Sequence, residues 1–350
     1  MSERPPLHLW ILSDGNPGHY NQSAAIADRL SLTHEVTFDW IDAKLNLRGV
    51  LRPLLATALN VFKGKLTPAF IEKIYTIPEG IPEKRPDLIV SSGGKTAFLN
   101  IMLGRLTHAK TLFIGTPPGI NCRQFTRLFV LEHLPRCPDS LLLDIIPTRI
   151  TPQKIEEAGL QYLSERGIRG QRLWCMLIGG SSRSHHYSDK DWLELAQGMN
   201  SLAEKYGIKW LVTTSRRTDP AAERILSGNL QPRHVQDAAY WGIEPRKVVS
   251  AFLGASEVVF STQDSLTMLT EAMMSGKPAW AIYPRDVRLE HKSASFYREY
   301  LRRNINLGRL LAIEIHQLPT INPEGRIKKF REGADKGLME DIDTELSKLI

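Results

Sequence analysis

The stretch 257–284, EVVFSTQDSLTMLTEAMMSGKPAWAIYP, admits few folds. Val258, Val259 and Phe260 form an apolar run suited to a strand buried on both faces, predicted over Glu257–Thr262. Asp264 and Ser265 then offer helix-capping oxygens, and Leu266, Leu269, Ala272 and Met273 recur at helical spacing. Gly276 is placed to end that helix, Pro278 prevents its continuation, and Pro278–Pro284 reads as a second strand. This is a βαβ unit. Its helix starts at the carboxyl end of a parallel strand, where open α/β sheets bind ligands. Free backbone N–H groups and the helix dipole suit that end to a diphosphate. Glu271, two turns beyond Asp264, is within reach of a ribose; a capped structural helix with a solvated Glu is the alternative.

The same alternation runs through the chain. Leu7–Ser13 is the first predicted strand, followed by Asp14–Gln22 (DGNPGHYNQ), where Gly15 and Gly18 allow a tight turn and Asn21 and Gln22 lead into a helix. His19 stands in this turn as a candidate catalyst or as an ordinary surface histidine. Further strands are predicted at Glu35–Asp42, Pro86–Ser92 and Lys110–Pro117, with short apolar runs at Arg127–Leu131 and Leu141–Ile146. The Gly93-Gly94-Lys95-Thr96 turn lacks the glycine spacing of a P-loop and is not read as one. A linker is expected near Ile146–Thr151, then a polar helix over Gln153–Arg166. The second domain opens with the strand Arg172–Ile178 and the turn Gly179-Gly180-Ser181, which has the character of a phosphate cradle. His185 and His186 with Asp189 lack further partners for a metal, and none is expected. Helices are expected over Asp191–Tyr206, Arg246–Ala255 and Asp286–Arg302. Lys209–Thr214 is a strand ending in Ser215-Arg216-Arg217-Thr218, whose Arg216 is the candidate cation for a diphosphate.

At 350 residues, with 42% hydrophobic and 24% charged residues, the chain is long enough for two soluble domains. We expect residues 1–150, 151–310 and a helical tail, 311–350, packing back on the first domain. The net charge of +7 suits an anionic partner, but no nucleic-acid-binding signature accompanies it. Cys122, Cys137 and Cys175 are far apart and odd in number, which argues against a disulfide framework and suggests a reducing compartment. No apolar run is long enough for a membrane span or a signal peptide, so a cytoplasmic protein is expected. The stretch 48–65, rich in leucine and bounded by Arg48, Arg52, Lys63 and Lys65, is read either as a core-facing helix or as a basic amphipathic segment lying on an anionic membrane.

Four blocks together resemble the Elm-type family, named after a plant mitochondrial-fission factor and common in bacteria. They are Asp14-Gly15-x-x-Gly18-His19-x-Asn21-Gln22, Pro86-Asp87-Leu88-Ile89 to Gly93, Ile178-Gly179-Gly180, and Asp264-Ser265-x-x-Met268-x-x-Glu271 to Gly276-Lys277-Pro278. The resemblance implies a GT-B architecture: two doubly wound Rossmann-like α/β domains facing a cleft that holds a sugar nucleotide. That family is similar in turn to the peptidoglycan GlcNAc transferase MurG. Gly18-His19 matches the end of its Gly-Gly-His turn, from which Asp14-Gly15 departs, while Gly179-Gly180-Ser181, Ser265 and Glu271 match its donor-site turn, helix start and ribose-binding Glu.

The expectation is therefore a metal-independent glycosyltransferase without a cofactor. It would move a sugar from a nucleoside diphosphate donor to a lipid-linked or cell-envelope acceptor, with stretch 48–65 as its membrane contact. His19 or Asp14 would be the base. Gly15, Gly18, Asn21, Gln22, Gly179, Gly180, Ser181, Arg216, Asp264, Ser265 and Glu271 would surround the donor, Asp264 by capping its helix. A non-catalytic membrane adaptor and a sugar-nucleotide epimerase are the alternatives. The nucleotide base, the sugar and the oligomeric state are left open.

Overall fold

A computed structural model describes residues 5–62, 64, 66–291, 294–325 and 338–350. Lys63, Lys65 and Lys292, and residues 326–337 of the expected tail, lie outside the described residues. The chain divides into two units, Met1–Arg149 with Gly337–Ile350, and Ile150–Lys336.

In the first unit the main strands are β1 (Leu7–Ser13), β2 (Val36–Asp42), β3 (Leu88–Ser92), β4 (Lys110–Ile114), β5 (Arg127–Val130) and β6 (Leu141–Leu142). They form one parallel sheet in the order β2-β1-β3-β4-β5-β6. The central strands are continuous apolar runs because helices cover both faces. Leu9 to Leu12 and all of β3 are buried, and Phe98, Phe113 and Phe129 fill the core around them. The helices are α1 (Pro17–Leu30), α2 (Arg52–Val61), α3 (Pro68–Ile74) and α4 (Thr96–Thr107).

Stretch 48–65 is a short 3-10 turn, Gly49–Leu51, followed by α2, with Pro53 in its first turn. Leu55, Ala56 and Leu59 face the core, while Val50, Leu54, Val61 and Phe62 are each more than half exposed. Cys122 and Cys137 form a disulfide with Cα atoms 5.6 Å apart, which corrects the expectation of unpaired cysteines. The pairing is made by loops either side of β5 and left no mark in the spacing. Cys175 is free and buried.

In the second unit α5 (Pro152–Glu165) leads to β7 (Leu173–Ile178), α6 (Asp189–Tyr206), β8 (Lys209–Thr214), α7 (Pro220–Asn229), β9 (Val235–Ala239), α8 (Val249–Ala255), β10 (Val258–Thr262), α9 (Leu266–Met274), β11 (Ala279–Tyr283), α10 (Ser295–Asn306) and β12 (Leu311–Glu314). The parallel order is β9-β8-β7-β10-β11-β12. Trp174, Trp210 and Phe260 pack edge-to-face and tilted across its core with centroids 5.3–5.8 Å apart. Ser188 and Asp191 cap α6 reciprocally, so that helix starts two residues before the expected Asp191.

Two helical expectations fail here. Asp286–Val287 pairs antiparallel with His185–His186, held by the Arg288 N–H donating to the Ser184 carbonyl at 2.8 Å, and the helix waits until Ser295. Leu311–Glu314, read as the start of a helical tail, pairs with β11 as an edge strand. After residue 337 the chain forms α11 (Glu340–Leu349), which joins the first unit through an Arg29–Asp343 ion pair and a hydrogen bond from Lys110 Nζ to the Leu349 carbonyl, 2.7 Å.

Each sheet has a point where strand order reverses: β1/β3 in the first and β7/β10 in the second. The carboxyl ends of those strands are where this topology leaves a ligand crevice.

Candidate functional site

In the first unit the chain leaves β1 through a hydrogen-bonded turn. Ser13 Oγ accepts from the Gly15 N–H at 3.1 Å and Asp14 Oδ1 from the Asn16 N–H at 3.1 Å. Gly15 takes φ +77°, a conformation open to glycine. Asn16 caps α1, accepting from the Gly18 N–H at 3.0 Å, and Pro17 takes the first helical position. Gly18, His19, Asn21 and Gln22 are therefore helical residues and not turn residues, and Gly18 has no positive φ. Asn21 is exposed, and Gln22 Oε1 accepts from Ser92 Oγ at 2.8 Å, tying α1 to the end of β3.

His19 Nδ1 lies 3.1 and 3.0 Å from the two oxygens of Asp14. The carboxylate is 6% exposed and the imidazole 33%, so Asp14 lies behind the ring and His19 in front. Burial pushes the Asp14 pKa up. The hydrogen bond and charge of His19, the Asn16 N–H and the charge of Lys95 outweigh it and hold the carboxyl below its ordinary range. Gly93, at φ +90°, completes the seat: a Cβ there would lie 2.3 Å from His19 Nδ1. The sequence marks Gly93 only as a glycine after a buried strand; that it makes room for His19 is visible only once β1 and β3 are neighbours.

In the second unit Asp264 ties together the turns that follow β7, β8 and β10. Its Oδ2 accepts from the Gly180 N–H at 3.1 Å and from Arg217 Nη2 at 2.6 Å, and Tyr187 OH donates to Oδ1 at 3.3 Å. Its carboxylate is fully buried. The sequence reading gives Asp264 the cap of α9; the structure gives that cap to Ser265, whose Oγ accepts from the Met268 N–H at 3.4 Å. The Gly179 N–H donates to Thr262 Oγ1 at 2.7 Å, so the first two N–H groups of the glycine turn are used inside the protein. The glycines themselves are demanded by close approach: a Cβ on Gly179 would lie 2.2 Å from Asp264 Oδ2, and one on Gly180 2.1 Å from the Arg217 carbonyl oxygen.

What faces outward is the exposed Ser181, the first N–H groups of α9, which have no intrahelical acceptor, and two arginines. Arg217 is 42% exposed beyond its bond to Asp264. Arg216, chosen from sequence, is exposed and has no partner among the described residues. Nothing in the Ser-Arg-Arg-Thr run separates the two. Glu271, in the second turn of α9, is half-buried, and burial raises its carboxyl to about 7. That carboxyl has no hydrogen-bond partner among the described residues. His185 is buried against Gln263 Oε1 at 3.0 Å, with burial lowering its pKa, and serves the local packing.

The model of the family described as Mitochondrial fission ELM1 matches residues 17–309. Among solved structures, an S. aureus MnaA–UDP complex is similar at TM-score 0.56 and 13% identity, over 98% of each chain. UDP-GlcNAc 2-epimerase from Neisseria meningitidis bound to UDP-GlcNAc is similar at 0.54 and 13%, also over 98% of each chain. UGT2 of Phytolacca americana, complexed with UDP-2fluoro-glucose and pterostilbene, is similar at 0.52 and 10%, over 98% of this chain and 99% of that one. The two parallel six-stranded sheets with flanking helices are the GT-B pairing of Rossmann-like domains.

Proposed function

Since the chain belongs to the mitochondrial fission ELM1 family and places candidate site residues at the strand-order reversal of each sheet, we propose that it is a sugar-nucleotide-dependent glycosyltransferase. The observation that carries this reading is Glu271. A half-buried carboxyl without a partner among the described residues, on a helix that begins beside Asp264 and its Arg217, is what a ribose hydroxyl would satisfy while the diphosphate meets the helix start. Solved proteins of this fold bind UDP, UDP-GlcNAc and UDP-2fluoro-glucose, which supports the same ligand class here.

In the proposed reaction an acceptor hydroxyl oxygen bonds to the anomeric carbon of the donor. The bond from that carbon to the diphosphate oxygen breaks, and the diphosphate leaves with the electron pair. Arg216 and Arg217, the Ser181 N–H and the start of α9 at Ser265 stabilise the departing charge. His19 Nε2 takes the acceptor proton, while Asp14 holds Nδ1–H and steadies the imidazolium that forms. Asp14 is a positioning residue in this scheme, since its carboxyl is buried and its pKa depressed. Gly15, Gly18, Asn21 and Gln22 shape the acceptor side; Gly179, Gly180 and Asp264 shape the donor side from behind. We take the acceptor to be lipid-linked or of the cell envelope, because the exposed apolar residues Val50, Leu54, Val61 and Phe62 adjoin Arg48 and Arg52 and suit an anionic bilayer.

A second reading, epimerisation of the sugar nucleotide, is favoured by the likeness to the Neisseria enzyme. Product analysis decides between them. Incubation with UDP-, GDP- and CDP-sugars and a polyprenyl-linked saccharide or glycolipid acceptor should release nucleoside diphosphate in step with a glycosylated acceptor. An epimeric nucleotide sugar formed without an acceptor would contradict the transfer.

A further inference from the structure

A cavity of about 290 Å³ lies in the first unit, far in topology from His19. Its lining comes from residues 121–123 and 125–128, at the start of β5, and 136–140, which lead into β6. It therefore sits at the amino ends of these parallel strands, whereas His19 and Gly93 follow the carboxyl ends of the interior strands β1 and β3. Four lining side chains are charged: Arg123, Arg127, Arg136 and Asp139. Arg127 pairs with Glu345 of α11. Arg123 and Arg136 are exposed, and their guanidiniums have neither a hydrogen-bond nor an ion-pair partner among the described residues. Three guanidiniums, one of them paired with Glu345, outnumber the single carboxylate Asp139 on this cavity, a balance that favours an oxyanion. The Cys122–Cys137 bridge joins the two lining segments, and its Cα separation of 5.6 Å is ordinary for a disulfide.

We propose that this cavity is a second ligand site, binding the phosphate or diphosphate group of a small soluble molecule through Arg123, Arg136 and Arg127, with the disulfide holding its two walls together. Nothing in it rests on the glycosyltransferase reading. The test is calorimetric titration of inorganic pyrophosphate into the full chain carrying Arg217→Ala, which removes a cation of the proposed donor site. Pyrophosphate should bind this protein, and adding Arg123→Ala with Arg136→Ala should raise its Kd at least about ten-fold. An unchanged Kd, or no binding before those two substitutions, would overturn the site. Dithiothreitol takes the bridge to two thiols with two electrons and two protons. It should weaken pyrophosphate binding several-fold, and an unchanged affinity after reduction would overturn the role given to the bridge.

Discussion

Gly93 decides how His19 stands. Any side chain at that position meets the imidazole and must also adopt φ +90°. Gly93→Ala should cost about 1–3 kcal/mol of stability and lower turnover together, read by thermal denaturation and by steady-state kinetics. His19→Ala should lower turnover by about 10²–10⁴-fold with donor affinity kept. His19→Gln retains a hydrogen-bonding side chain but takes no proton at neutral pH. If that variant turns over normally, His19 positions and does not deprotonate. Glu271 gives a prediction with a sign. Its folded carboxyl titrates near 7 against an ordinary 4.5, so between those values the folded state keeps a proton that the unfolded chain has released. The stability of the free parent therefore falls across that window as pH rises, and Glu271→Gln should lose this decline. Melting temperatures at pH 5 and 8 should show the variant gaining on its parent; an equal change in both would show Glu271 to be ordinarily solvated. At this scale His19, Asp14 and Glu271 were legible as titratable groups beside strand ends. The part played by Arg217 was not, because only the fold shows which of two adjacent arginines reaches Asp264.

Elements buried on both faces were the most legible. β1, β3, β7 and β10 announce themselves as apolar runs, because a parallel strand between helix layers has no solvent face to mark with polar residues. Pieces at the periphery were not. β12 sits at the edge of its sheet and carries a mixed burial pattern, and the Asp286–Val287 ladder is held by contacts with residues a hundred positions earlier. The start of α1 was placed too late, since the capping by Asn16 and the proline at its first position lie inside what reads as a glycine turn. α2 puts one face on the core, as one of its two readings expects, while residues around and beyond it leave large apolar side chains in solvent; its membrane contact is a proposal. Sedimentation with anionic vesicles should be salt-sensitive and should drop several-fold on Leu54→Ser with Val61→Ser, which spare the buried face. Binding indifferent to lipid charge and to those changes would reduce α2 to a packing helix.

In the whole molecule, two sheets of the same parallel kind each reverse their strand order once, and each reversal carries candidate chemistry of a different sort. The first offers a carboxylate-backed imidazole. The second offers helix N–H groups, arginines and a carboxyl lacking a partner among the described residues. That division was foreshadowed by glycine turns after the first strand of each half, although Gly179 and Gly180 turn out to accommodate Asp264 and the Arg217 turn. The central claim is that the second unit binds a nucleoside diphosphate through α9. Its most direct measurement is calorimetric titration of UDP, GDP and CDP into the parent chain and into Glu271→Ala. One nucleotide should bind more tightly than the others, and Glu271→Ala should weaken it by about 1.5–3 kcal/mol, the range for a charge-assisted hydrogen bond, with the melting temperature little changed. No binding of any nucleotide by the parent, or equal affinity in the variant, would contradict the account.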